Sequence, residues 1–343
     1  FNHTASVQFP KLPGGLLTKP TLVWDVISQQ AGTHRAKVAY QTNGVTWWTD
    51  YNLVYSDGKD ANSCKLDVGA WVSILNQSGA SYADAKLKLI AGDVHRAPVS
   101  SAAPVAKSAR AEYALDSAER GFAEKTFFEY HLYTLGRPTT LPDNSTKQIE
   151  LFPVARSVPC EKTLVYYGLA PHYRGFLPNP ITDRNYGLES NKKVDVYLGF
   201  KNSSEQSLGV PLPSGRIRVS KLDPADQSLE FVGEDTIDHT PKNEKVLIKM
   251  GSAFDVVGER RQVDFSVDTK ARTMTEEIEI KLRNHKSEPV TVIAKENLYR
   301  WINWKIASKT HDYERVDART VHFPVKIAKD GEAIVRYRVQ YSW

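Results

Sequence analysis

The chain has 343 residues, of which 41% are hydrophobic, 10% aromatic and 25% charged. This length suffices for about two domains with buried cores, and the composition excludes both a disulfide-rich miniprotein and an intrinsically disordered chain. The formal net charge is only +5. That balance excludes a strongly basic nucleic-acid-binding protein, so no nucleic-acid partner is expected.

Short segments that alternate apolar and polar residues recur along the chain and predict half-buried β-strands. The clearest are Val194–Phe200 and Ile278–Leu282. Similar patterns occupy Leu22–Ile27, Val38–Tyr40, Val72–Leu75, Phe127–Leu135, Leu164–Tyr167, Val263–Val267, Val290–Ala294, Val321–Ile327 and Ile334–Tyr341. Because helical patterns are scarce between them, we expect an all-β fold of antiparallel sandwiches. No stretch is long and apolar enough to predict a transmembrane segment.

The predicted organisation is two immunoglobulin-like antiparallel β-sandwich domains, residues 1–180 and 181–343. Glycines and prolines between Tyr173 and Leu188 break the strand pattern and place the boundary there. The Ala-rich segment Arg96–Lys125 has few large apolar residues, so it predicts a long linker or insertion within the first domain.

Cys64 and Cys160 are the two cysteines of the chain, and they form no CxxC pair. An even count fits one disulfide, which would suit an exported protein, whereas two buried free thiols are the alternative. The predicted disulfide would tie the first domain together across the Ala-rich segment. We expect a periplasmic, extracellular or cell-surface location.

Three predicted strands end at an asparagine that is followed by a polar turn: Asn76, Asn202 and Asn284. Asparagine suits such positions because its short amide bonds to nearby backbone and tolerates positive φ. The recurrence indicates a repeated sandwich element, and chance hairpin chemistry is the alternative.

Several longer motifs resemble the mucoidy-inhibitor-A-like family, a domain of unknown function in bacterial exported proteins. They are Tyr40–Tyr55, Asn76–Val94, Tyr130–Leu151, Leu208–Val219, Gly233–Glu244 and Gly251–Arg260. The resemblance implies a β-sandwich protein of the cell envelope and no established catalytic residues.

The densest polar cluster comprises Glu234, Asp235, Asp238 and His239. Carboxylates with an imidazole could contact a ligand or a divalent cation, but the spacing matches no calcium loop or HExxH helix. A charged turn whose carboxylates bond to backbone N–H groups is the alternative. No cofactor is expected.

Four tryptophans could stack on a sugar ring or contact a protein: Trp47, Trp48, Trp301 and Trp304. Trp47 and Trp48 are consecutive, so in a strand one would face the core and the other solvent. Core packing is the alternative for all four.

No nucleotide-binding or catalytic motif is present. The sequence therefore favours a non-enzymatic structural or interaction protein of the cell envelope that binds a protein partner or itself. The alternatives are a carbohydrate-binding or carbohydrate-active protein and a subunit of a self-associating envelope assembly.

Overall fold

The computed structural model describes residues 23, 25–92, 121–173, 175 and 178–343. The chain divides into two compact units, Phe1–Thr42 and Asn43–Trp343. In the first unit, the described residues form no strand or helix, so the segments Leu22–Ile27 and Val38–Tyr40 are not strands wherever they are described. Alternation over so few residues produces a strand only where another strand pairs with it.

The second unit is built almost entirely of β-strands. Strands make up 60% of the structure, and its described residues form no α-helix. None of them belongs to a helix that could cross a membrane. The strands are, in chain order, β1 (Val45–Asp57), β2 (Ser63–Asn76), β3 (Tyr82–Ala85), β4 (Lys88–Ala91), β5 (Phe122–Phe127), β6 (Tyr130–Leu135), β7 (Thr139–Leu141), β8 (Ser145–Tyr166), β9 (Lys193–Lys201), β10 (Gly215–Leu222), β11 (Leu229–Ile237), β12 (Lys245–Asp268), β13 (Thr273–Asn284), β14 (Val290–Asn297), β15 (Trp304–Lys309), β16 (Glu314–Arg315), β17 (Thr320–Ile327) and β18 (Gly331–Ser342).

One large mixed sheet of thirteen strands dominates the described structure. Its main path is β11, β10, β1, β2, β8, β9, β12, β13, β18 and β15, while β14 joins β8 to β17 and β16 pairs with β17. Two small sheets, β3 with β7 and β4 with β6 and β5, accompany it. The all-β prediction is confirmed.

Two strand pairs correct the expectation of purely antiparallel sheets. Strand β1 runs parallel to β10, with Thr49 beside Gly215, and β14 runs parallel to β8. Parallel partners need a crossover connection and therefore come from distant parts of the chain. Apolar alternation within one strand carries no information about such a partner.

Within the described residues there are two large hydrophobic cores and a third, small cluster of Leu169, Ile181 and Tyr299. The first contains side chains such as Leu66 and Val219, and the second contains side chains such as Ile280 and Phe323. Strands β8, β9 and β12 are shared: on β8, for example, Ile149 belongs to the first core. Further along the same strand, the side chain of Leu164 belongs to the second core. The division at residues 180 and 181 stays a prediction.

Around the first core the sheet curls back on itself. The backbone N–H of Lys249 on β12 donates to Oδ2 of Asp235 on β11 at 2.7 Å. A Cβ placed on Gly233 would lie only 2.9 Å from the carbonyl oxygen of Met250. Strand β11 therefore lies against β12 as well as pairing with β10.

The predicted disulfide between Cys64 and Cys160 is present. The two residues face each other where β2 pairs with β8, with their Cα atoms 4.8 Å apart. Residues 96–120 of the predicted insertion lie outside the described residues, whereas residues 122–125 belong to β5. The disulfide thus joins β2, which lies before the Ala-rich segment in sequence, to β8, which lies after it.

Candidate functional site

The outer face of β11, β10, β1, β2 and β8 carries polar and aromatic side chains. On β10, β1, β2 and β8 the alternate residues are buried in the first core, as is Ile237 on β11, so the intervening residues face outward. One row of outward residues crosses all five strands in register. In that order it comprises Thr236, Arg216, Asp50, Trp71 and Glu150.

An open groove of about 770 Å³ lies on this face. It combines one large aromatic ring, two guanidinium groups and two carboxylates, from Trp48, Arg216, Arg218, Asp50 and Asp238. Hydroxyl and amide groups from β2, β8 and β11 complete the lining. Small-ligand sites are usually lined mainly by apolar side chains, whereas most side chains of this groove are polar.

A chain of hydrogen bonds holds Trp48 in place at the groove. The indole Nε1 of Trp48 donates to Oδ2 of Asp50 at 2.7 Å, and the hydroxyl of Ser73 donates to the same oxygen at 3.3 Å. The amide of Gln148 donates in turn to the hydroxyl of Ser73 at 3.0 Å. Trp48 nevertheless stays 40% exposed. The ring is therefore both fixed and accessible.

The two arginines of the groove differ in their partners. Arg218 lies between two carboxylates, with 3.5 Å from its Nη1 to Oδ1 of Asp50 and 3.6 Å from its Nε to Oε2 of Glu234. Arg216 is exposed, and no carboxylate among the described residues forms an ion pair with it. The charge of Arg218 is balanced within the fold, whereas that of Arg216 is not.

Trp71 is a second exposed tryptophan on the same face, with 38% of its surface accessible. It pairs in register with Asp50, and Trp48 pairs with Ser73 two residues further along β2. The two indoles are therefore diagonal neighbours across β1 and β2. Trp71 extends the aromatic surface beyond the groove.

The structure separates the four predicted polar residues. Glu234 faces Arg218, while Asp235 accepts hydrogen bonds from the backbone N–H groups of Thr236 and Lys249 at 2.8 and 2.7 Å. Asp238 lines the groove. Nδ1 of His239 accepts a hydrogen bond from the backbone N–H of Ser214 at 3.0 Å.

No group of three or more His, Cys, Asp or Glu side chains in the described part of the chain is arranged to hold a metal ion. At the predicted cluster, strand alternation explains this arrangement, because neighbouring residues on β11 point to opposite sides of the sheet. The two acidic residues at the end of β11 consequently bond to different elements: Glu234 to β10 and Asp235 to β12.

Of the predicted stacking residues, only Trp48 lines the groove. Trp47, its neighbour, is partly buried against the first core. Trp301 and Trp304 are partly buried against the second core, and the indole Nε1 of Trp304 donates to the carbonyl of Ala318 at 2.8 Å. The structure therefore does not bring the four tryptophans together.

A second surface, on β12, β13 and β18, carries opposite charges that pair with one another. Glu279 is buried and bonds to both Arg261 and Arg336, at 2.6 and 2.5 Å. Arg338 pairs with Glu277 on β13. Because these arginines are neutralised by neighbouring strands, this surface offers less to an acidic ligand than the groove does.

No family model matches the sequence, and no curated protein or solved structure is similar to it at a significant level. The resemblance to the mucoidy-inhibitor-A-like family therefore stays a prediction. The groove itself carries the functional argument.

Sequence reasoning did not identify Asp50, Trp71, Gln148, Arg216 or Arg218 as site residues. Their convergence depends on the register of five strands, and the parallel pair of β1 with β10 brings two of them beside Trp48. A local signal existed in the alternation of Trp48 with Asp50 and of Arg216 with Arg218. Alternation places such pairs on one face but does not say that the two faces adjoin.

Proposed function

We propose that this protein is a non-enzymatic carbohydrate-binding protein whose ligand lies in the groove beside Trp48. The observation that carries the proposal is an accessible indole that is fixed by Asp50 within a groove of polar groups. The apolar face of a pyranose ring stacks on such an indole, and its hydroxyls bond to carboxylate, amide and guanidinium groups.

Preorganisation supports binding at this place. A fixed side chain loses little conformational freedom when a ligand arrives, so more of the contact energy remains as affinity. Trp48 is fixed by its own hydrogen bond to Asp50. The indole can therefore offer its ring face without reorganising the groove.

The acidic side chains at the groove favour binding over catalysis. Asp50 already bonds to Trp48 and Ser73 and pairs with Arg218, and Glu234 pairs with the same arginine. A glycosidase needs two carboxyl groups that are available to the scissile bond. Asp238 is the remaining carboxylate of the groove lining.

We also propose, as the setting for this function, an exported cell-envelope protein made of two immunoglobulin-like sandwiches. The two hydrophobic cores support the two sandwiches. The Cys64–Cys160 disulfide is compatible with export. The motif resemblance described above supports the envelope location.

The test is glycan binding by the Trp48→Ala variant, measured on an oligosaccharide array and then by calorimetry. We expect about a tenfold or larger loss of affinity, since a stacking aromatic at the centre of a site carries much of the binding energy. Phe254→Ala is the control, because Phe254 is 97% exposed and lies outside the groove lining. Unchanged affinity in Trp48→Ala would contradict the proposal, and so would an array without any bound glycan.

Protein contact is the second candidate function, and exposed apolar side chains on neighbouring strands favour it. Leu222 and Leu229 pair in register next to the turn that joins β10 to β11, and Phe231 on β11 is 61% exposed. Exposed apolar clusters often mark protein interfaces or self-association. Light scattering over a concentration series tests the self-association form of this candidate, and a monomer at every concentration would contradict it.

A further inference from the structure

We propose that the groove selects anionic sugars, and that Arg216 binds a carboxylate on the pyranose that stacks on Trp48. This inference rests on the proposed carbohydrate-binding function and names the class of ligand. It is carried by the contrast between Arg216 and Arg218, which lie two residues apart on the same face of β10.

Arg218 acts as an internal comparison. Its guanidinium lies between Asp50 and Glu234, so its charge serves to hold the two carboxylates and the indole that Asp50 fixes. Arg216 is also beside Asp50 in the strand register, yet Asp50 pairs with Arg218. Within the described residues, the guanidinium of Arg216 has no hydrogen-bonded or ion-paired partner.

The position of Arg216 suits a ligand group rather than a structural partner. It lines the groove together with Trp48 and lies between Asp50 on β1 and Thr236 on β11. The planar fork of a guanidinium matches a carboxylate with two parallel hydrogen bonds. A sugar ring on the indole of Trp48 would thus present an exocyclic carboxylate to a cation one strand away.

The groove favours one charged group over a polyanion. Asp50 and Asp238 also line it; Arg218 offsets the charge of Asp50, whereas Asp238 forms no ion pair among the described residues, so its negative charge opposes a densely charged ligand. A sugar ring with a single carboxylate can stack on Trp48 through its apolar face and place that carboxylate at Arg216. It brings no further negative charge near Asp50 and Asp238. We therefore infer a uronic acid or another carboxylated pyranose as the bound unit.

The experiment uses oligosaccharides in matched sets of three: a carboxylated form, its carboxyl-reduced neutral form and its sulfated form. We expect the full chain to bind the carboxylated members about tenfold more tightly than the neutral ones, the usual scale of a hydrogen-bonded charge pair. Arg216→Gln should remove this preference and retain weak binding to both forms. Arg216→Lys should restore part of it.

Lys270→Gln is the matched control, because Lys270 is exposed in the turn after β12 and its loss changes the net charge by the same amount. It should bind as the wild type does, and equal thermal unfolding of all variants checks that each one folds.

The outcomes separate this inference from the proposed function. Equal binding of neutral and carboxylated members, or a preference that survives Arg216→Gln, would overturn the inference while carbohydrate binding stands. A preference for sulfated members would likewise overturn the carboxylate assignment. If no member of any set binds, the inference and the proposed function both fail.

Discussion

Three buried asparagines perform the same task at the ends of three strands. Asn76, Asn202 and Asn284 are at most 1% exposed. Each side-chain amide donates to one carbonyl in its own turn and to another in a distant segment: Ala80 and Leu141, Val210 and Pro241, and Glu288 and Ala328, respectively. Each Oδ1 accepts from a backbone N–H of its own turn. The sequence motif therefore corresponds to a recurring set of hydrogen bonds, in which one buried asparagine joins its own turn to a distant segment.

Replacement of one such asparagine should destabilise the fold. In Asn284→Ala, the partly buried carbonyls of Glu288 and Ala328 lose their donor, which we expect to lower the free energy of unfolding by about 1–3 kcal/mol. Asn284→Asp should cost at least as much, because a carboxylate cannot donate to either carbonyl. Urea denaturation measures both, and Asn185→Ala at an exposed loop position is the control. Equal stability of the Asn284 and Asn185 variants would show that the hydrogen bonds of the Asn284 side chain do not stabilise the fold.

Two fully buried arginines hold the loop before β9 against the second core. Arg300 pairs with Glu276 at 3.0 Å and donates to the carbonyls of Ile181 and Asp183. Arg260 pairs with Glu296, also at 3.0 Å. Removal of one member of such a pair leaves the other charge buried and unpaired, so these residues constrain one another. These polar contacts act together with a small apolar cluster to which the loop contributes Leu169 and Ile181.

At the scale of elements, the paired charges on β12, β13 and β18 make stability depend on pH. Burial of Glu279 acts to raise the pKa of its carboxyl, but hydrogen bonds from Arg336 and Arg261 outweigh this and lower the pKa below its ordinary value. A carboxylate with a lowered folded pKa stabilises the fold above its unfolded pKa of about 4.3. That contribution is lost as the pH falls through the folded pKa.

Glu279→Gln should therefore be less stable than the wild type at pH 7, and the difference should shrink as the pH falls below about 4.3. Urea denaturation across a pH series measures it. Glu332→Gln is the control, because it removes a more exposed carboxylate that pairs with Lys281 on the same strands, and exposed pairs contribute little. A difference that stays constant down to pH 2 would contradict the assigned cause.

The elements were more predictable than their partners. Segments such as Val194–Phe200 and Ile278–Leu282 lie within β9 and β13, because their alternation reflects one buried and one solvated face. The parallel pair of β1 with β10 joins residues more than 150 positions apart, and no local pattern encodes it. Trp48 could be proposed from the sequence because its residue type alone suggests stacking. Arg216 and Trp71 could be assigned to the same face only once the register of the strands was known.

At the scale of the whole molecule, the three shared strands mechanically connect the two cores. Strand β12, for example, contributes Ile248 to the first core and Val256 to the second. If one core unfolds, the shared strands β8, β9 and β12 lose part of their packing and pairing. The other core is built on the same strands, so we expect it to be destabilised as well. Sequential sandwiches joined by a linker would instead unfold independently.

A cavity in the first core should consequently destabilise the second. Leu66 is fully buried in the first core, so Leu66→Ala should cost about 2–5 kcal/mol. Hydrogen exchange at the centre of β13 reports on the second core, and we expect its protection to fall by the same free energy as that of β2. Ile280→Ala, in the second core, should have the reciprocal effect on β2. If only the mutated core loses protection, the shared strands β8, β9 and β12 do not pass the destabilisation from one core to the other. The two cores would then fold as separate domains.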